Sequence, residues 1–176
     1  MNNIQATTIW FTGLSASGKS TLSERLYNDL HELGVTNVEL LDGESVRDML
    51  KNHSFDKSSR EKIGIQKARI ALELNKQGKI VLVSGIAHKK RWRKDIREMM
   101  ENYFEVYLDC DVKECSKRDY KGNYEKAFSG KLENFIGVSE QYEESDEYDL
   151  RVNTSEQSIE ACSKLILDSV LSHLRY

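Results

Sequence analysis

The sequence contains no proline, where average usage of ~5% would place about nine in 176 residues. That excludes proline-rich linkers, polyproline recognition segments and any cis-proline device. Cysteine is scarce and odd in number. Cys110, Cys115 and Cys162 show no C-x-x-C spacing, which argues against a disulfide framework or a structural zinc site and reads as three reduced packing residues. Long apolar runs are missing too: the longest aliphatic stretch, Ile80 to Val83, is far short of the ~20 residues a bilayer span needs. Met1-Asn2-Asn3-Ile4-Gln5 has neither a basic n-region nor an apolar h-region, so a cytoplasmic location is the expectation. A net charge of -3, with 39% apolar and 31% charged residues, fits one domain with a single core and disfavours a dedicated nucleic-acid binder.

What is present alternates. Ala6 to Gly13 is a short apolar run ending in glycine, after which Leu22, Leu26, Leu30 and Leu33 recur at helical spacing. Val38 to Asp42 reads as a strand, and Ser58 to Gln77 as a helix with Ile65, Ala68 and Leu72 in its apolar stripe, stopped by Gly78. Lys79 to Ile86 is the most β-branched run and reads as a central strand. A basic helix near Lys89 to Asn102, a strand Tyr103 to Cys110, a strand Leu150 to Asn153 and a helix carrying Ile159, Cys162, Ile166, Val170 and Leu174 follow. Such alternation predicts a three-layer α/β domain on a five-stranded parallel sheet. Residues 118 to 149 fit no such element and read as a lid.

Gly13-Leu14-Ser15-Ala16-Ser17-Gly18-Lys19-Ser20, followed by Thr21, matches G-x-x-x-x-G-K-[ST] between a strand and a helix. Loop N–H groups and the helix N-terminus can surround a β-phosphate. Lys19 can reach the β- and γ-phosphates, and the Ser20 hydroxyl can ligate Mg²⁺. ATP or GTP with Mg²⁺ is therefore implied. Asn75-Lys76-Gln77-Gly78 mimics a guanine-reading N-K-x-D but lacks the aspartate, which disfavours a signalling switch. The length leaves no room for a motor or ABC-type ATPase, so a small-molecule kinase is the best class; a catalytically silent P-loop binding protein is the alternative, against which Lys19, Ser20 and Asp42 speak.

Two strands end in aspartate, Asp42 and Asp109, and either can supply a carboxylate for the metal's shell or a proton acceptor. Asp42 is favoured, because Gly43 follows it and Glu44 and Arg47 share one face of a helical turn at the carboxyl edge of the sheet. Asp109 reads as a helix N-cap. The basic cluster Lys89, Lys90, Arg91, Arg93, Lys94 and Arg97 reads as a face near a polyanionic pocket or a solvated surface, since Asp95 and Glu98 interrupt it.

The chain resembles the adenylylsulfate kinases from about Ile9 to Cys162. The resemblance rests on Trp10 to Thr21, Leu41-Asp-Gly-Glu-Ser-Val-Arg47, Phe55 with Arg60, Arg118-Asp119 with Lys121-Gly122, and Asn134-Phe135-Ile136-Gly137. It implies a P-loop kinase that phosphorylates the ribose 3′-hydroxyl of a nucleotide 5′ mixed anhydride. Phe55 and Phe135 would sandwich the acceptor base, with Ile86 beside it; Arg47 and Arg60 would hold the 5′ anionic group. Asp42 and Glu44 would face the 3′-hydroxyl and the metal, and Arg118 and Lys121 would belong to a lid over ATP. The partners implied are a small-molecule nucleotide and, as in many family members, a second copy in a homodimer; no nucleic acid or membrane is expected.

Departures cluster on the acceptor side. Ile63 stands where the family has asparagine, and Ile86-Ala87-His88-Lys89-Lys90 replaces Ile-Ser-Pro-Tyr-Arg, so no phosphoserine can form at Ala87. Lys121-Gly-Asn-Tyr-Glu125-Lys126 replaces Lys-Gly-Leu-Tyr-Lys-Lys. Losing an amide that bonds the acceptor should weaken adenylylsulfate binding unless the acceptor has changed. The departures point to a changed acceptor, and the resemblance of the whole chain to the adenylylsulfate-kinase-like enzymes of bacterial capsule phosphoramidate synthesis implies that it is cytidine diphosphoramidate, with adenylylsulfate as the alternative. The family's missing prolines correspond to His88, Tyr120 and Gln141, so the acceptor loop and lid are expected to be freer than in relatives.

Overall fold

The computed structural model describes residues 5–49, 51 and 57–174. Five parallel strands, β1 (Thr8–Gly13), β2 (Val38–Leu41), β3 (Ile80–Ser84), β4 (Tyr103–Asp109) and β5 (Leu150–Asn153), form one sheet in the order β2-β3-β1-β4-β5. The helices are α1 (Lys19–Glu32), α2 (Gly43–Met49), α3 (Lys57–Lys76), α4 (Lys90–Met99), α5 (Val112–Arg118), α6 (Asn123–Phe128) and α7 (Ile159–Leu174). The three-layer α/β architecture expected from the alternation is the one observed.

Strand periodicity splits the interior in two. Ile9 and Phe11 of β1 face a core completed by Leu22, Leu26 and Leu30 of α1 and Ile166 and Val170 of α7. Trp10 points the other way, to Ala68 and Ala71 of α3, Ile96 of α4, and Val81 and Val83 of β3. Because both faces are covered, β1 and β3 are buried at every position, and a central parallel strand reads as an unbroken apolar run. A third, smaller cluster lies at the carboxyl ends of the strands, where Leu14, Cys110, Cys115, Tyr124 and Ile136 pack together. All three cysteines are buried and free.

Three details differ from the sequence reading. The buried face of α3 is carried by Ile63, Lys67, Ala68 and Ala71, with Leu72 packed against it; of the expected stripe Ile65, Ala68 and Leu72, only Ile65 is exposed. Asp109 does not cap a helix. It ends β4 and pairs with Arg151, whereas Asp111 caps α5 by accepting from the Lys113 N–H at 2.7 Å. Residues 118–149 also contain regular structure, α6, whose start is held by the Asp119 carboxylate accepting from the Tyr124 N–H at 2.8 Å.

The end of that segment is strapped to the domain. Arg97 donates to the Glu147 carbonyl and to Asp149, Asp149 accepts from the Glu105 N–H, and Lys90 pairs with Asp146. The basic face of α4 is thus matched by acidic residues about fifty positions later. Among the described residues no helix is long and apolar enough to cross a membrane.

Candidate active site

Parallel strands deliver their carboxyl ends, and the loops after them, to one edge of the sheet. There lies a cavity of about 1210 Å³, more than the ~300–1,000 Å³ of a single small-molecule site, and so large enough for two nucleotides. Its lining brings together Ser15 to Thr21 of the phosphate loop, Asp42, Gly43 and Arg47 after β2, Arg60, Ile63 and Lys67 of α3, Ile86 to His88 after β3, and Arg118 to Lys121.

The phosphate loop is shaped by two glycines. Gly13 has φ +145°, and a Cβ there would lie 2.6 Å from the Leu108 carbonyl oxygen; Gly18, at φ +100°, starts α1 in a left-handed conformation. Two elements brace the loop from outside. Tyr124 of α6 donates its hydroxyl to the Ser15 carbonyl at 3.0 Å, and Thr154 after β5 donates to the Ser17 carbonyl at 3.0 Å. Leu14 is pinned against Gly137, where an added Cβ would meet the leucine Cδ2 at 2.9 Å. Lys19 donates to the carbonyls of Gly13 and Leu14, and burial lowers its pKa to about 8. Ser20, at the start of α1, is exposed.

On the acceptor side, Asp42, Arg47 and Arg60 line the same cavity. Arg60 donates to the Asn134 carbonyl, which ties α3 to the Asn134-Phe135-Ile136-Gly137 turn. Burial, then the neighbouring Arg60, lowers the Arg47 pKa; two guanidiniums on one cavity wall suit an anion. Ile86 offers its carbonyl to Thr12 Oγ1 at 2.6 Å, and Thr12 Oγ1 lies 2.8 Å from the Tyr142 hydroxyl. Ala87 follows with φ +42°, in the left-handed region, and its carbonyl accepts from buried Arg93 at 2.6 Å. His88 is buried edge-on against Trp92, 3.5 Å from a Glu140 oxygen; burial, then Lys89, lowers its pKa.

Of the other expected residues, Arg118 and Lys121 line the cavity, while Phe135, Phe55 and the Glu44 side chain are not among its described lining. Phe135 packs edge-to-face on Tyr124 at 4.8 Å in the cluster beneath the phosphate loop, and it is the neighbouring Ile136 that lines the cavity. Phe55 lies outside the described residues, as does the side chain of Glu44, whose backbone belongs to α2. Arg118 is engaged by Glu114 and by the Thr154 carbonyl at 2.7 Å; Lys121 lies over the exposed Tyr120 ring at 5.7 Å.

One functional candidate escaped the sequence reading. Lys67 is only 5% exposed, donates to the Ser84 carbonyl at the end of β3, and has its pKa lowered to about 7 by burial and by Lys19 and Arg47, with Asp42 acting in the opposite direction. The signal was a lysine within the apolar row Ile63–Lys67–Ala71, at helical spacing.

A strand–glycine loop–helix at one end of a two-nucleotide cavity, with a carboxylate and paired guanidiniums at the other, defines a P-loop phosphotransferase. The family model described as adenylylsulphate kinase matches residues 5–153, and the chain belongs to that family of ATP-using nucleotide 3′-kinases. It is 38% identical over 167 residues to the adenylyl-sulfate kinase of Synechococcus sp. (strain JA-3-3Ab), covering 94% of each chain. It is 36% identical over 147 residues to the cytidine diphosphoramidate kinase of Campylobacter jejuni, covering 84% of this chain and 85% of that one. The structure of the Mycobacterium tuberculosis APS kinase CysC in complex with AMPPNP and APS superposes with a TM-score of 0.88 at 30% identity, covering 95% of this chain and 98% of that one.

Proposed function

We propose that this kinase transfers the γ-phosphoryl group of ATP to the 3′-hydroxyl of adenylyl sulfate. The carrying observation is the single cavity that joins the phosphate loop to Asp42, Arg47 and Arg60. Full-length similarity to adenylyl-sulfate kinases supports that acceptor over cytidine diphosphoramidate, the acceptor first expected from the departures at Ile63 and Ala87. Those departures and the Campylobacter relative keep the cytidine compound as the second reading.

Lys19 neutralises the β- and γ-phosphates, and Arg118 and Lys121 act on the polyphosphate from the lid. Arg47 and Arg60 hold the 5′ anhydride, and Asp42 orients the 3′-hydroxyl and takes its proton. Ile86 borders the acceptor, and Phe55 is proposed to stack on its base; Phe135, packed on Tyr124, is not assigned that role. Ser20 and Asp42 offer two hard oxygen donors, which suits Mg²⁺, an ion normally held by one or two protein oxygens together with phosphates; among the described residues no cluster of three His, Cys, Asp or Glu builds a protein-only cage. When bound, Mg²⁺ supplies charge neutralisation across the β- and γ-oxygens. A homodimer is proposed as the oligomeric state, to be checked by sedimentation.

The deciding experiment is ATP turnover with adenylyl sulfate and cytidine diphosphoramidate side by side, the phosphorylated position being read by phosphorus NMR. A higher kcat/KM for adenylyl sulfate supports the reading. A higher value for the cytidine compound replaces it with the second.

A further inference from the structure

Lys67 stands where the fold calls for an apolar side chain. It is four residues after Ile63 and four before Ala71 on α3, and the three are 4%, 5% and 0% exposed, so they form one buried row. A methionine or leucine would complete that row without the cost of desolvating an ammonium group. Instead the side chain runs through the apolar layer and ends at the carboxyl edge of the sheet. There it donates to the Ser84 carbonyl, and a Cβ added to Gly43 would lie 3.4 Å from its Nζ. Three charged groups act on it, each from a different element: Lys19 from the phosphate loop, Arg47 from α2 and Asp42 after β2.

Those neighbours locate it chemically. Lys19 belongs to the donor end, Arg47 to the acceptor end, and Asp42 is the carboxylate proposed to receive the hydroxyl proton. Its Nζ meets the end of β3 and lies beside Gly43, the residue after Asp42, and Lys67 lines the cavity shared by the phosphate loop, Asp42, Arg47 and Arg60. That places an ammonium between the two ends, where the phosphoryl group must cross and where an anion is attracted to it.

We propose that Lys67 is a catalytic residue, donating from Nζ to a non-bridging oxygen of the phosphoryl group as it passes from ATP to the 3′-hydroxyl. This rests on the kinase reading above. In the step, the 3′-oxygen loses its proton to Asp42 and forms the new O–P bond. The bond from the γ-phosphorus to the β,γ-bridging oxygen breaks, and its electron pair leaves with ADP. The phosphates, once bound, favour the ammonium form of Lys67 over the neutral amine, and it contributes a positive charge where negative charge is spread over the equatorial oxygens.

The test compares wild type, Lys67→Met and Lys67→Arg. Steady-state kinetics use whichever of the two acceptors the wild type turns over better, and calorimetry measures binding of ADP, which lacks the transferred group. Lys67→Met should lower kcat by roughly 10²- to 10³-fold, with acceptor KM and ADP affinity within about threefold of wild type; Lys67→Arg should recover part of the lost kcat. Where melting shows that the methionine variant does not fold, Lys67→Gln carries the same expectation. A variant kcat within about threefold of wild type, or a loss confined to KM, overturns the proposal alone. Wild type inactive on both acceptors overturns the kinase reading and the proposal with it.

Discussion

The two ends of the cavity are fastened by different physics. At the donor end the phosphate loop is braced by apolar packing of Leu14 with Tyr124 and Ile136 and by two neutral hydroxyl bonds, from Tyr124 and Thr154. At the acceptor end the loop after β3 is held by charge: buried Arg93 donates to the carbonyls of Ala87 and Glu143, lies 3.8 Å from Glu105 and sits over the Tyr142 ring. Residues 118–154 reach both ends: Tyr124, Ile136 and Thr154 meet the phosphate loop, while Tyr142 and Glu143 meet Arg93. One stretch of chain therefore touches donor and acceptor ends, through apolar and neutral contacts at the first and through a buried guanidinium at the second.

The sharpest break in the comparison is at Asp42, which belongs to the acceptor end yet acts on the transferred group. Asp42→Asn should lower kcat by roughly 10²- to 10⁴-fold if it is the proton acceptor, while a rate near wild type would remove that role. Next is Arg93→Met, which removes the cation 3.8 Å from buried Glu105, leaving that carboxylate to the Ser145 and Tyr103 hydroxyls and Arg97, and also frees the carbonyls of Ala87 and Glu143; it should cost about 3–5 kcal/mol of stability. Denaturant unfolding would measure it, and a loss under about 1 kcal/mol would show that the charged strap is no stronger than a surface ion pair.

Below these comes a pH effect. Lys19 must be a cation to bind phosphate, and burial lowers its pKa to about 8. The kcat/KM for ATP should thus begin to fall near pH 7, where Lys67 loses its proton, and fall more steeply above about pH 8 as Lys19 follows, with a profile level to pH 10 counting against both assignments. The smallest effect is expected from Tyr124→Phe, which removes one neutral hydrogen bond to the Ser15 carbonyl and should raise the KM for ATP with a stability loss of about 1 kcal/mol. The same variant should leave acceptor KM unchanged; a parallel rise in both would mean that the two ends move together.

The donor end was legible in the sequence because its parts are contiguous. Gly13 to Thr21 is one motif, and the strand before it and the helix after it show in the hydrophobic pattern. The acceptor end is assembled from Asp42, Arg47, Arg60, Lys67 and Ile86, and only the family resemblance joined most of these. Lys67 was missed because an apolar stripe is drawn through apolar letters, so a lysine beside the buried Ala68 was passed over. The strap on α4 was missed for another reason: Arg97 meets Asp149 across 52 positions, and no local pattern announces charge complementarity at that separation. The zero proline count pointed to a looser loop at His88 and Tyr120; beside the first of these, Ala87 has φ +42° and its carbonyl accepts from Arg93, a side-chain contact that local sequence does not announce.

Thr12 has a consequence for the order of protons. A threonine hydroxyl has a single hydrogen, and the Ile86 carbonyl 2.6 Å away can only accept it. The Tyr142 hydroxyl must therefore be the donor across its 2.8 Å contact with Thr12, and burial, by pushing the phenol's pKa up to about 12, keeps that proton in place. A one-way relay runs from residue 142 through residue 12 to residue 86, so its members are unequal. Tyr142→Phe ends the relay one link early and leaves Thr12 bonded to Ile86; Thr12→Val strands a donor on one side and an acceptor on the other, and should be the more disruptive of the two.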